Sequence, residues 1–365
     1  MAKIKDVISL LENIAPRGYQ ENYDNAGLIT GSPGTELTGV LITLDCIESV
    51  VEGAIRKNCN MIVAHHPIVF KGLKQLNGKN YVERTIIKAI KNDIAIYAIH
   101  TNLDNVDNGV NAQIAAKIGL TNTRILSPKR DTLEKLEVMV PSENTEEVLD
   151  ALHAAGAGNI GQYNNCSFTI NGTGRFKPLE GTNPTIGTIN EDEKVNENKL
   201  ELIYPSVIQG KIVSALKKAH PYEEVAYYIH SLKNSNSQIG SGMIGSLPRK
   251  MNQQEFLTYL KDKMALQVIR YTDNASDSIQ KVAVCGGAGS FLLSKAKSMG
   301  ADAFVTSDFK YHEFFDSEGK ITIADIGHYE SEVFTKELID GFIREKFANI
   351  ATYLSEVDTN PVKYF

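Results

Sequence analysis

The chain reads as an α/β protein in which two duplicated α/β halves form one core around a dinuclear metal site, with an inserted ferredoxin-like α+β domain. Three observations predict this. A strand-helix-strand passage over residues 39–64 is matched in shape by residues 281–306, and a β-α-β-β-α-β pattern fills residues 129–236. Four of the eight histidines, together with two carboxylates, follow directly on stretches that read as buried strands.

The elements follow in order. Ile4, Val7, Ile8, Leu11 and Ile14 recur with the period of an amphipathic helix, not the continuous apolar run of a secretory leader. Gly39 to Asp45 is a strand, Ile47 to Lys57 a helix and Asn60 to Ala64 a second strand that runs into His65-His66-Pro67. A further helix precedes the strand Ile94 to Ile99, which runs into His100-Thr-Asn-Leu-Asp104. In the later passage Lys281 to Gly286 is a strand, Ser290 to Ser298 a helix and Ala303 to Thr306 a strand. A helix over Phe309 to Phe315 then leads to the strand Ile321 to Ile326 and to Gly327-His328-Tyr-Glu-Ser-Glu332. His100-x-x-x-Asp104 and His328-x-x-x-Glu332 are therefore counterparts, and the position of His65-His66 is taken in the second half by Ser307-Asp308, followed by His312.

Between the halves the grain changes. Strands over Leu133 to Val140, Cys166 to Gly172, Lys199 to Tyr204 and Val225 to Ser231, with helices over Thr145 to Ala155 and Ser206 to Ala219, give the ferredoxin-like order. The polar run Asn190 to Asn198 reads as a loop within it. The expected boundaries are residues 1–128 plus 237–365 for the core and 129–236 for the insertion, flanked by Ser127-Pro128 and by Lys233 to Ser237.

Ligands and chemistry collect at the carboxyl ends of strands in open α/β sheets. Adjacent residues of an extended segment point to opposite sides, so His65 and His66 serve two neighbouring ions more readily than one. His328 and Glu332, spaced i, i+4, share one face of a helix that begins after Gly327. Asp104 or Glu332 is then the carboxylate placed to bridge, and His100 orients Asp104 from behind. Imidazole with carboxylate oxygen suits zinc, iron or manganese, and the four cysteines, Cys46, Cys59, Cys166 and Cys285, lack the paired spacing of a thiolate site.

With 365 residues, two domains are the default. A net charge of -6 and a pI near 5.8 argue against a general nucleic-acid binder. No apolar run reaches membrane-spanning length, and scattered cysteines fit a reduced, cytoplasmic protein.

Six segments together resemble the signature series of the Nif-three-like dinuclear metal centre family, whose members carry the label type 2 GTP cyclohydrolase I. They are Asn22 to Leu28, Ala64-His-His-Pro67, His100 to Asp104, Val284-Cys-Gly-Gly-Ala-Gly-Ser290, Thr306 to His312 and Gly327 to Glu332. The resemblance implies a toroidal homohexamer with a dinuclear centre in each protomer, ligated at His65, His66, Asp104, His328 and Glu332. It also implies an inserted domain similar to the PII and CutA proteins, marked by His220-Pro-Tyr-Glu-Glu224. One departure is Tyr23-Asp24-Asn25 where the family usually has Trp-Asp-Asn, in a chain without tryptophan.

The activity so implied is hydrolytic opening of the guanine imidazole ring of GTP at C8, with release of formate. His312 or Asp308, and after them His100, are the candidates for proton transfer. Lys71, Lys74, Lys310 and the turn Gly286-Gly287-Ala-Gly289 are the candidates for holding the triphosphate, although a tight strand-to-helix turn explains the same glycines. The alternative is a metal-binding regulatory or metallochaperone hexamer gated by its inserted domain. His220 reads as part of a structural turn, His153 and His230 as surface or packing residues, and Cys285 as a small core residue.

Overall fold

The computed structural model describes residues 2–274 and 278–365, which fall into two compact units. One comprises residues 1–128 with 238–365, the other residues 129–237. The strands in chain order are β1 (Gly27–Thr30), β2 (Val40–Thr43), β3 (Met61–Ala64), β4 (Ala95–Ala98), β5 (Thr121–Lys129), β6 (Leu133–Pro141), β7 (Phe168–Phe176) and β8 (Glu193–Pro205). They continue with β9 (Tyr227–Leu232), β10 (Asn236–Met251), β11 (Arg270–Tyr271), β12 (Ile279–Ala288), β13 (Ala303–Ser307), β14 (Thr322–Asp325) and β15 (Thr352–Leu354).

In the first unit β2, β3, β4, β13 and β14 are buried at every residue, as expected of short apolar strands covered on both faces. The first sheet has the order β1-β4-β3-β2-β15, with β2, β3 and β4 parallel and β1 antiparallel on the outer edge of β4. The second has the order β11-β14-β13-β12-β10-β5, with β12, β13 and β14 parallel and β11 antiparallel on the outer edge of β14. The repeat thus extends from the three parallel strands to the antiparallel strand beside them.

The crossovers differ between the halves. Helices Glu48–Arg56 and Tyr81–Lys91 turn Val50, Val51, Ala54, Ile86 and Ala89 onto the first sheet. In the second half the residues from Ser290 form a 3-10 turn and then the short helix Leu293–Ser298, while Tyr311–Ser317 is 3-10 and not the expected α-helix. A left-handed Glu318 (φ 52°) followed by Gly319 (φ 66°) ends that turn. Leu292, Leu293 and Ala296 still cover Phe304, which meets Phe309 edge to face at 6.4 Å.

In the second unit the sheet order is β7-β8-β6-β9 with antiparallel pairing throughout, the ferredoxin-like arrangement. Leu136, Val138 and Val140 alternate along β6 to face Val148 and Leu152 of helix Thr145–Ala154 and Ile212 and Leu216 of helix Gln209–Ala219. Part of the polar run expected as a loop, Glu193 to Asn198, lies within β8, where pairing with β7 and bonds from Asn171 to Asn196 and Asn198 hold it. His220 uses both ring nitrogens within the unit, one with the Met139 carbonyl at 2.8 Å and one accepting from the Tyr222 amide at 3.1 Å. It is a turn residue, as its neighbouring proline implies.

Because Phe304 is fully buried between the second sheet and its covering turns, Phe304→Ala is expected to lower stability by about 3–5 kcal/mol. Denaturant unfolding of the two proteins side by side checks this, and a loss below about 1 kcal/mol would contradict the packing described.

Candidate metal centre

β3 ends where the site begins. The His65 and His66 amides donate to the carbonyls of Thr43 (3.1 Å) and Leu44 (2.9 Å), but the chain bends here. The two rings therefore lie side by side with centroids 4.9 Å apart and both turn toward Glu332, not to opposite sides as an extended course implies. His65 is completely buried, and its Nδ1 lies 2.8 Å from the Ile99 carbonyl, which makes Nδ1 the protonated nitrogen and leaves Nε2 a lone pair. That Nε2 faces Asp104 Oδ1 at 3.7 Å and Glu332 Oε1 at 3.8 Å, and neither His65 Nε2 nor Asp104 Oδ1 has a hydrogen-bond partner although both are buried. Buried polar atoms left in this way are costly. Ligand atoms sharing a tetrahedral ion at about 2.1 Å lie about 3.4 Å apart, so a cation fits where a hydrogen bond does not.

A second group shares Glu332. His66 Nε2 and His328 Nε2 are 3.4 Å apart, and Glu332 Oε2 lies 2.9 Å from the first and 3.1 Å from the second. Asp45 Oδ1 meets His66 Nδ1 at 2.7 Å, and Asp308 Oδ2 meets His328 Nδ1 at 2.6 Å. These carboxylates occupy the Nδ1 positions and turn both Nε2 atoms toward Glu332. Of the two carboxylates expected to bridge, Glu332 turns Oε1 toward His65 and Oε2 toward His66 and His328.

The electrostatics bear the mark of the same arrangement. Burial pushes His65 down to about 4, keeping it neutral. Burial also lowers His66 and His328, but their carboxylate partners outweigh it and raise them to about 9 and about 11. Asp104 is pushed well above the usual carboxylate range by burial and by the charge of Glu332. Burial would raise Glu332 too, yet its contacts with His328 and His66 hold it well below that range. Two carboxylates crowded into one buried space call for positive charge between them.

The backbone is shaped for close approach. Helix His328–Glu332 starts from Gly327 at φ 91°, and a Cβ there would strike the Glu330 carboxylate. Gly287, at φ +59°, would set a Cβ 2.5 Å from Glu332 Oε1. Its amide donates to Ser331 Oγ, and the Gly286 amide donates to Asn111 Oδ1. A Cβ on Gly289 would collide with Thr306. Gly286 and Gly287 therefore let β12 pack against the helix that carries His328 and Glu332, Gly289 lets the turn pass close to β13, and the two committed amides are not a phosphate cradle. Lys71, Lys74 and Lys310 are exposed and do not line the cavity beside the histidines.

The remaining candidates separate. His100 lies against His65 and His66 with ring centroids 5.3 Å away, but its Nδ1 bonds to Asp24 Oδ1 at 2.8 Å and not to Asp104. Asp24 also accepts from the Thr101 amide at 3.0 Å and from the Thr101 hydroxyl, and His100 and Thr101 outweigh burial to hold it down at about 2. Asp308 is tied to His328 and held low, mainly by that bond, which keeps it ionised and unsuited to donating a proton. His312 is exposed beside the rings of Tyr311 and Phe315 and does not line the cavity. Asp24 and Asp45 were not singled out from the sequence. Asp45 stood at a strand end like the other site residues, the one signal that pointed to it.

The cavity in front of these groups measures about 810 Å³. Its wall includes Thr359, whose hydroxyl donates to Asp45 Oδ2 at 2.7 Å, and Asn360, whose side chain donates to Glu330 at 3.0 Å. Among the described residues no helix is long and apolar enough to cross a membrane.

Known proteins resemble this chain along its length. The family model for Duf34/NIF3 (NGG1p interacting factor 3) matches residues 2–361. A Bacillus subtilis protein named GTP cyclohydrolase 1 type 2 homolog is 38% identical over 365 residues, spanning 99% of this chain and 98% of its own. A protein of the same name from Halalkalibacterium halodurans is 38% identical over 370 residues, spanning 100% and 99%. The crystal structure of a Bacillus cereus protein related to NIF3 aligns with a TM-score of 0.87 at 37% identity, covering 100% of this chain and 99% of that one. A Staphylococcus aureus crystal structure aligns with a TM-score of 0.78 at 30% identity, with the same coverage. The chain belongs to the Duf34/NIF3 family.

Proposed function

We propose that the protein is a metal-dependent hydrolase that holds two divalent ions, one by His65, Asp104 and Glu332 and one by His66, His328 and Glu332. The observation that carries this reading is Glu332, whose two oxygens face two separate groups of donors. Nitrogen and oxygen donors of this kind suit zinc, iron or manganese. Such a pair of ions lowers the pKa of bound water toward neutrality and polarises the bond to be cleaved.

The chain's own groups then move the proton. Asp24 is ionised and accepts from His100 Nδ1, which leaves Nε2 as the basic nitrogen of a ring that lines the cavity. His100 is thus the group that receives a proton from the attacking water and returns it to the departing nitrogen. The name shared by the relatives points to GTP, in which one water adds at C8 and the ring C–N bond breaks, and a second water releases formate. The inserted unit and a homohexameric assembly are not needed for this chemistry and stand as expectations from the family.

Three outcomes are expected. With protein reconstituted with metal, His66→Ala loses an ion and turnover together, while His100→Gln keeps both ions and slows formate release from GTP by about 10²–10⁴-fold. Protein that binds two ions per chain and opens no ring would return the weight to the metallochaperone reading. Second, His66 and His328, raised to about 9 and about 11, carry protons near neutrality that ions must displace. Calorimetry near pH 7 in buffers of different ionisation enthalpy should therefore show at least about two protons released per chain, with metal affinity falling as pH falls. Binding without proton release would contradict the ligand set. Third, Gly287→Ala should weaken metal binding by about tenfold or more, because its Cβ displaces Glu332. Unchanged affinity would remove Glu332 from its bridging place.

A further inference from the structure

The cavity wall has a charge pattern that its metal groups do not account for. Beyond Asp104 and Glu332 it carries five more carboxylates, Glu21, Asp45, Asp308, Asp325 and Glu330. Against these stands Arg270 alone, and no lysine lines the cavity among the described residues. Arg270 is already committed, since its guanidinium bonds to the buried Asp325 and to the Phe309 carbonyl and lies 5.4 Å from the Phe314 ring. With two divalent ions in place the ligands offset half their charge, and the wall beyond them stays acidic.

The same wall is rich in aromatic surface. Tyr23, Phe70, Tyr81 and Phe291 line it and are 71%, 51%, 55% and 68% exposed. Large rings left open around a concave site are suited to stacking on a flat, delocalised ligand. Carboxylates accept from N–H groups and attract cations, while they repel phosphate oxygens.

From this juxtaposition we infer that the site takes an uncharged or cationic nitrogen heterocycle, of nucleobase or nucleoside kind, and discriminates against a nucleoside triphosphate. The inference rests on the hydrolase reading for its chemistry, and it narrows the substrate from GTP to the ring that GTP carries. Water's oxygen bonds to the ring carbon, the ring C–N bond breaks and the released nitrogen takes the proton. None of these steps needs a phosphate. The aromatic walls hold the ring's faces, and the negative charge of the wall favours an N–H edge over a phosphate.

The test is calorimetric titration of the metal-loaded full-length protein with guanosine, GMP and GTP at low and high salt. Ring opening is followed in the same samples, and metal content is checked after each titration because triphosphates chelate divalent ions. The expected result is affinity that falls with each phosphate, guanosine exceeding GTP by about tenfold or more at low salt, with the gap narrowing as salt screens the wall. Glu330→Gln should narrow the gap, tightening GTP binding relative to guanosine. GTP binding as tightly as guanosine, or no binding of guanosine at all, overturns the inference. Preference for guanosine without opening of any ring would keep it and remove the hydrolase reading. Tight binding and opening of GTP would do the reverse.

Discussion

The carboxylate of Glu332 is the point on which this site depends. It is 3% exposed, it stands at the end of a five-residue helix, and three imidazoles and a second carboxylate converge on it. A buried carboxylate survives in an apolar core only when charge-assisted bonds replace water around it. Those bonds come from both halves of the fold. His65, His66 and Asp104 follow strands of the first sheet, and His328 and Glu332 follow a strand of the second. Neither half alone provides a full set of donors.

The surroundings of the site are organised to aim nitrogens. Asp45, Asp308 and Asp24 each take the Nδ1 of one histidine, and the Ile99 carbonyl takes that of His65. All four rings are therefore held by one nitrogen and present the other. Three of these partners are carboxylates that are themselves braced. Asp45 is held by Thr359, Asp24 by Thr101, and Asp308 sits at a left-handed φ of 60° that sets its direction. Such bracing fixes ring orientation before any ligand arrives, which limits what must be ordered on binding.

Much of this was legible in the residues because the signals were local. Strand ends announce themselves as apolar runs stopping at polar residues, and the i, i+4 pair His328 and Glu332 marks one helix face without further information. The parallel strands and the duplication followed from periodicity in the same way. What was not legible depends on distance. Asp24 meets His100 across 76 residues and Thr359 meets Asp45 across 314, so no spacing rule connects them. The role of the glycines was hidden for a related reason. Gly287 serves a contact with Glu332, which lies on another element, and a turn motif looks the same whether its amides face a phosphate or a neighbouring side chain. β10 was obscured by Gly240, Gly242 and Gly245, whose missing side chains let it pass close to the backbone of β5 and β12.

The same dependence on distance explains why the charge of the cavity was misjudged from the sequence. Lys71, Lys74 and Lys310 lie close in the chain to the site's histidines, and proximity in sequence suggested proximity in space. Each stands on an exposed loop or turn that leads away from the strand end, because the strand end is where the chain leaves the covered core. The carboxylates came inward instead. Asp45 and Asp308 face the site because each braces an imidazole there, whereas His65 is braced by a backbone carbonyl. Part of the acidic wall is thus a consequence of how two of the imidazoles are held. On the proposed reading, the residues that aim these imidazoles are also the ones that disfavour an anionic substrate.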